Sequence, residues 1–264
     1  MKKTIESFAQ SIALGLMLNS ALVILPTASA QPAWNSSGNF VLPGMFLGST
    51  NFEAIDFRAG NVRVLRLEPD PRGALAGNLV GGFISNRVEQ PGSGGNVIAG
   101  GGYFAGVNLV RSNTSGVFIG AGSANEIGPN INDAVIGGGF GNRLSGQSGV
   151  IVGGNFNSIP SGADAAAIGG GQQNTNAGTF SVIGGGSQNG IANPASHATI
   201  AGGAGNLASD FGASVGGGSG NMADGPGSTI PGGSANVASG QNSFAARGNQ
   251  AADRHLASDQ NRSG

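Results

Sequence analysis

The sequence predicts an all-β protein: a parallel β-solenoid with coils of about sixteen residues, entered through an N-terminal β-hairpin. Three observations carry this. An apolar-Gly-Gly unit recurs along most of the chain, the residues just before it are apolar, and an Asn follows it at a near-constant distance. The period is well below the ~30 or more residues of helical repeats and suits one short coil per repeat. No stretch keeps a helical hydrophobic period over about eleven residues.

Taken in chain order, residues 1–30 read as a secretory signal. Lys2 and Lys3 open it, an apolar stretch runs from Ile12 to Leu25, and Thr27-Ala28-Ser29-Ala30 offers a small-residue cleavage site before Gln31. The apolar run is too short for a membrane helix. Both lysines of the chain lie there. The remainder holds ten arginines against twelve acids, thirteen less Glu6, for a net charge of −2. That is no footprint for nucleic acid. An exported chain without Cys has no disulfides, so packing or assembly must stabilise it.

Residues 31–77 are expected to form an N-terminal cap. FEAIDFR (52–58) and VRVLRLE (62–68) flank Ala59-Gly60-Asn61, the pattern of a hairpin with a three-residue turn. Arg58, Arg63, Arg66, Arg72 and Arg87 concentrate half of the ten arginines here. A solenoid needs a covered end, because an open coil exposes unpaired edge groups. A receptor-binding patch is the alternative use of these arginines.

Residues 78–248 are the repeat region. Counting from the first Gly of each unit, copies fall at Gly81, Gly100, Gly137, Gly153, Gly169, Gly184, Gly202, Gly216 and Gly232, with degenerate copies at Gly120 and Gly248. One residue earlier stand Ile136, Val152, Ile168, Ile183 and Val215; two earlier stand Val135, Ile151, Val182 and Ile200. Adjacent strand residues point to opposite faces. Both columns are apolar, so one should line the coil and the other should meet a neighbour. An identical neighbour is the simplest, which predicts an oligomer. The paired glycines Gly137 and Gly138, Gly153 and Gly154, Gly169 and Gly170, Gly184 and Gly185, and Gly216 and Gly217 are read as coil corners. Gly170 is singled out as a position that a side chain would break. Asn142, Asn174, Asn189 and Asn221 sit five after the first Gly, and Asn157, Asn206 and Asn236 four after. Stacked in successive coils they are expected to form an amide ladder at a turn.

VIGGGFGNRLSGQSGVIVGG (135–154), AAAIGGGQQNTNAGTFSVIGGG (165–186) and TIPGGSANVASGQNSFA (229–245) resemble the YadA-like head repeats of trimeric autotransporter adhesins. The likeness covers roughly Asn78 to Gly248. It implies a left-handed parallel β-roll, three chains about a common axis, and a surface head that adheres to host matrix, cells or other surfaces. The receptor, protein or glycan, is not named by these residues. The family's repeats are somewhat shorter and poorer in glycine. Its members also continue into a coiled-coil stalk and a membrane barrel. Residues 249–264 show neither heptads nor alternating ten-residue strands and are expected to be a disordered tail.

Chemistry is sparse. Gly212-Ala213-Ser214-Val215-Gly216 matches G-x-S-x-G, but the repeat already explains it, and the two histidines are His197 and His255. No Lys completes a phosphate loop, Asp does not recur in a calcium-binding register, and two His without Cys make no transition-metal site. Glu68 and Asp70 are read as solvated acids on a turn. No catalytic residue, metal or cofactor is expected, no membrane-spanning segment lies in the chain, and the reading is non-enzymatic. The alternatives are a carbohydrate-binding or carbohydrate-cleaving β-helix and a purely structural secreted solenoid.

Overall fold

The computed structural model describes residues 48–49, 51–70 and 76–246. They belong to the second of two units, Gly48–Gly264. The signal segment, most of the stretch before the hairpin, Arg72, Gly248 and residues 249–264 lie outside the described residues. Among the described residues every regular element is a strand.

The chain enters through a hairpin, β1 (Ile55–Ala59) and β2 (Val62–Glu68), antiparallel with Ile55 opposite Leu67. The turn is one residue shorter than expected, because Ala59 still pairs with Val62. Gly60 and Asn61 both have left-handed backbone, φ 56° and 62°. That conformation matches the twist of a two-residue hairpin, and Gly and Asn are the residues that tolerate it. β2 pairs antiparallel with β3 (Asn78–Gly81), and from there every pairing between strands is parallel.

The solenoid strands are mostly two residues long and alternate between two sheets. Among the described residues sheet 1 has twelve strands, from the hairpin to Thr229–Ile230. Sheet 2 has ten, from Arg87–Val88 to Val237–Ala238. In each two-residue strand the second residue points inward. Sheet 1 contributes Val80, Ile98, Ile119, Ile136, Ile151, Ile168, Ile183, Ile200, Val215 and Ile230 to the core. Sheet 2 contributes Val88, Val110, Ile127, Leu144, Ile159, Ile191, Ala208, Ala223 and Ala238. Asn176 takes the place of an apolar residue in sheet 2, and its amide is satisfied by Ala167 O, Ser181 O and the Ser181 hydroxyl. Fully burying an Ile is worth about 1.5–3 kcal/mol, so these facing columns supply most of the drive to coil.

This pairing corrects the register expected from the glycines. Ile136 pairs with Ile151, and Ile183 with Ile200. Ile151 and Ile200 therefore belong to the same inward column as Ile168, Ile183 and Val215. Val152 does not; it is 61% exposed. Val152, Ala201 and Pro231 occupy the position that is the first Gly in other coils, so counting from a glycine slips by one there. With the slip removed, each Asn lies six residues after the inward residue, and successive ladder Asn are 15 or 17 residues apart. From Gly120 on, the turn from sheet 1 to sheet 2 is always six residues long, as in 137–142. The return turn is five, as in 145–149, or seven, as in 160–166, and absorbs all the length variation.

The constant turn is built around the amide. Asn142, Asn157, Asn174, Asn189, Asn206 and Asn221 are almost fully buried. In each, Nδ2 donates back four residues and across to a glycine carbonyl of the next coil, as Asn189 does to Gly185 O (2.9 Å) and Gly203 O (3.0 Å). The Oδ1 accepts the backbone N–H of the next rung, Asn206 N to Asn189 Oδ1 at 3.0 Å. Asn236 continues the series with Asn221. The third turn position explains the glycine. Gly139, Gly154, Gly171, Gly186, Gly203 and Gly218 have φ between 84° and 92°, and a Cβ there would fall within 2.1 Å of the next coil's glycine oxygen.

Gly171 is the more crowded corner; at Gly170 a Cβ meets nothing within 4 Å, but a φ of 150° still strains any side chain, so both positions resist substitution. Gly138, Gly185 and Gly217 share this second position, with φ of 148–159° and no atom nearer than 3.5 Å to a Cβ, whereas Gly153 is open and free of that backbone constraint. At the first position, Gly137, Gly169, Gly184 and Gly216 lie close under the next coil's carbonyl, yet Val152 and Ala201 show that a side chain is accommodated there.

Two stability predictions follow from this geometry. Gly203→Ala should lower unfolding stability by about 3 kcal/mol, combining left-handed strain with a backbone clash, whereas Gly202→Ala should change it by less than about 1 kcal/mol; denaturant midpoints of the two variants compare them. Asn189→Ala removes the rung's hydrogen bonds and orphans buried partners, for a loss of about 3 kcal/mol or more; Asn189→Asp, which cannot donate to the carbonyls, should do no better by the same measurement.

Candidate interaction surfaces

The first residue of each sheet 1 strand faces outward. This column runs Leu79, Val97, Phe118, Val135, Val150, Ala167 and Val182, then changes to Thr199, Ser214 and Thr229. Phe118 and Val182 are 39% and 43% exposed. Two residues further on, the same face carries the first-glycine position, so Gly137, Gly169 and Gly184 leave it without side chains. The face is flat and apolar as far as Val182 and hydroxyl-bearing beyond. Two apolar columns were expected; the second exists, but it is Val135 and Val182 with Val150, and it stops short of the last coils.

The outer face of sheet 2 has another character. Arg87, Glu126 and Arg143 project from it and join Glu89 and Arg111 in a chain of ion pairs. Arg87–Glu89 is 3.5 Å, Arg111–Glu89 3.3 Å, Arg111–Glu126 2.7 Å and Arg143–Glu126 2.9 Å. Burial pushes the Glu126 carboxyl up, but the hydrogen bonds from Arg111 and Arg143 outweigh it, and the net shift is downward. Ser158, Thr175 and Gly190 follow on the same column. The last three strands present Leu207, Met222 and Val237.

The hairpin arginines are engaged within the chain. Arg66 grips Asp56 through two bonds, 2.7 and 3.1 Å, and Arg58 adds a third at 3.4 Å. The hydrogen bond from Arg66 is the main reason the Asp56 carboxyl is held down at about 2. Arg63 is buried and donates to Ile84 O and to Asn86 O, the latter at 2.9 Å. In later coils the carbonyl equivalent to Asn86 O accepts an N–H from the preceding coil, as Asn157 O does from Arg143 N. Arg63 supplies the donor that a preceding coil would have given, which is how the hairpin caps the first coil. Glu68 lines a cleft with Ile55, Leu67 and Leu79 rather than a solvated turn, and burial raises its carboxyl.

Ser214 lies in the outward column of sheet 1. His197 sits at a return turn, stacked between Phe180 and Phe211 with ring centroids 5.5 and 5.3 Å away. Phe140 and Phe156 pack edge to face at 5.0 Å on the other turn. Sequence reading missed these aromatic ridges. Their signal was the offset: Phe180 and His197 each precede an inward Ile by three residues. Among the described residues no group of three or more His, Cys, Asp or Glu is placed to hold a metal. No described helix is long and apolar enough to cross a membrane. Compared with known proteins, the chain matches no family model and no curated protein.

The Asp56 carboxyl has a lower pKa folded than its ordinary value of about 4, so its pairing contributes stability above pH 4 that is lost as pH falls through about 2. The difference in thermal midpoint between the native chain and Asp56→Asn should be constant from pH 5 upward and shrink progressively toward about pH 2; titrating both proteins by circular dichroism checks it.

Proposed function

We propose that the chain is an exported, non-enzymatic adhesin head that works as a homotrimer of left-handed β-rolls, with the apolar outer face of sheet 1 turned toward the shared axis. The observation that carries this is the column from Leu79 to Val182. The core is already filled by the inward Ile columns, so a second continuous apolar strip on a flat face calls for a covering surface. Identical strips meeting at an axis cover each other. Packing sheet 1 of one copy on sheet 2 of another would set Phe118 and Val135 against Glu126 and Arg143, which leaves charges desolvated. The likeness to YadA-type head repeats supports the same assembly and adds the adhesive role. Adhesion would use the surfaces that remain outside, where the ion-pair chain of sheet 2 and the aromatic ridges are displayed. The receptor is a protein or glycan of a host or another surface.

Light scattering on the purified chain tests assembly. The expected result is a trimer. Val135→Asp with Val150→Asp should yield monomers that keep their β circular dichroism, because both positions face outward; Ser214→Asp, on the hydroxyl-bearing part of the same column, should stay trimeric. Beads coated with the native chain should attach to matrix-coated surfaces, and beads with the monomeric variant several-fold less. A native chain that is monomeric at micromolar concentration overturns the assembly, and a trimer without attachment overturns the adhesive role.

A further inference from the structure

The turn from sheet 1 to sheet 2 carries no charge. Between the inward sheet 1 residue and the rung Asn there is no charged residue in any coil from Val80 to Asn236, whereas the return turns carry Arg111, Asp133, Asp164, Asp210 and Asp224. In the coil of Ile98 this uncharged turn is extended. Asn108 follows the inward residue by ten positions instead of six, yet it still donates to Gly100 O and Gly122 O, at 3.0 Å each. The ladder is kept, so the four extra residues are turned outward. They close on themselves, with Gly106 N donating to Tyr103 O at 2.9 Å and Tyr103 N to Gly106 O at 3.2 Å, and they leave Phe104 92% exposed. Three coils further on, Phe156 stands on the same corner. Glycines seat both rings. Two carbons of the Tyr103 ring lie 2.7 and 3.1 Å from the place a Gly106 Cβ would take, and two of the Phe156 ring lie 2.8 Å from that of Gly141. Each ring rests against a turn, and Tyr103 and Phe156 remain 48% and 52% exposed. Asn155, Gln172, Gln173 and Gln188 line the same corner. All four are exposed, and their side-chain amides make no hydrogen bond among the described residues.

We propose that this corner, from Tyr103 to Gln188, binds an extended, uncharged glycan chain. The inference rests on the adhesive reading and narrows its receptor to a neutral polysaccharide. A pyranose presents a face of C–H bonds and a rim of hydroxyls that both donate and accept. A half-bare aromatic ring suits the face, and a free primary amide, with donors and an acceptor together, suits the rim. An anionic glycan finds no opposite charge on this corner. A lipid surface would take the rings, but it would also bury the neighbouring amides without partners. The corner repeats every ~4.8 Å along the axis, near the length one pyranose adds to an extended chain, so Tyr103 and Phe156, about 14 Å apart, can hold one oligosaccharide between them. Phe104 adds a third ring at the tip. The aromatic group on the return turn is a poorer platform. There His197 stacks between Phe180 and Phe211, so the rings turn toward one another, and the carboxylate of Asp210 stands beside Phe211.

Calorimetric titration of the full-length chain tests the site, with hexasaccharides of β-1,4-glucan, chitin and β-1,4-mannan as probes and heparin as the anionic control. The native chain should bind at least one of the three neutral probes and bind heparin no better. Tyr103→Ala/Phe156→Ala should weaken that binding at least tenfold, and Phe180→Ala/Phe211→Ala, on the return turn, by less than twofold. All four side chains are exposed, so both variants are expected to fold, and circular dichroism checks it. Equal losses in the two variants overturn the site. No binding to any neutral probe, tighter binding to heparin, or retention on phosphatidylcholine vesicles in place of the glycans overturns the ligand class. If coated beads still attach to matrix protein in those cases, the adhesive reading stands without the glycan; if they attach to nothing, both fall.

Discussion

A primary amide offers two donors and two acceptor sites, and a coil corner from which water is excluded must satisfy them. In this solenoid the ladder Asn does so with groups the coils themselves provide: a carbonyl four residues back, a carbonyl one coil on, and the neighbouring rung. Leaving one of these groups unpaired would cost about 1–3 kcal/mol, so the rungs punish any slip between coils. Much else depends on this. The turn that carries the Asn has one length from Gly120 onward, and its third residue has no side chain, because the space of a Cβ belongs to the next coil's oxygen. The return turn carries no such rung and is free to differ by two residues.

The apolar columns do a different job. They provide the drive to collapse but tolerate exchange of Ile for Val, Leu or Ala along one column. Hydrophobic burial is non-directional. Polar rungs choose among the registers that an apolar column alone would leave nearly equivalent. The same division separates inside from outside. Two-residue strands place one side chain in and one out, so the outward residue is released from packing and its identity can follow a different logic along the length.

The period, the all-β class, the hairpin and the Asn ladder were legible because each rests on local residue chemistry. The register was not, and the reason is specific. Glycine looked like the fixed marker, but Val152, Ala201 and Pro231 show that the first corner position accepts side chains, while the third does not. The invariant pair is the inward Ile and the Asn six residues on. Read from those, Val152 leaves the core list and Thr199 and Thr229 enter the outer column. Arg63 was counted among the clustered arginines, but its use as a donor for Asn86 O depends on a contact between distant residues that no local pattern announces. The aromatic pairs did leave a local signal, Phe180 and His197 each three residues before an inward Ile, but it is readable only once the inward column is placed correctly.

The cap has a consequence for how such a chain changes over generations. Arg63 and β2 address only the first coil, through its backbone, and each inner coil meets neighbours of its own kind. A duplication or loss of one unit in the gene would therefore leave both ends matched. It would alter the reach of the column in steps of about 4.8 Å, a ruler whose length drifts while its ends stay the same.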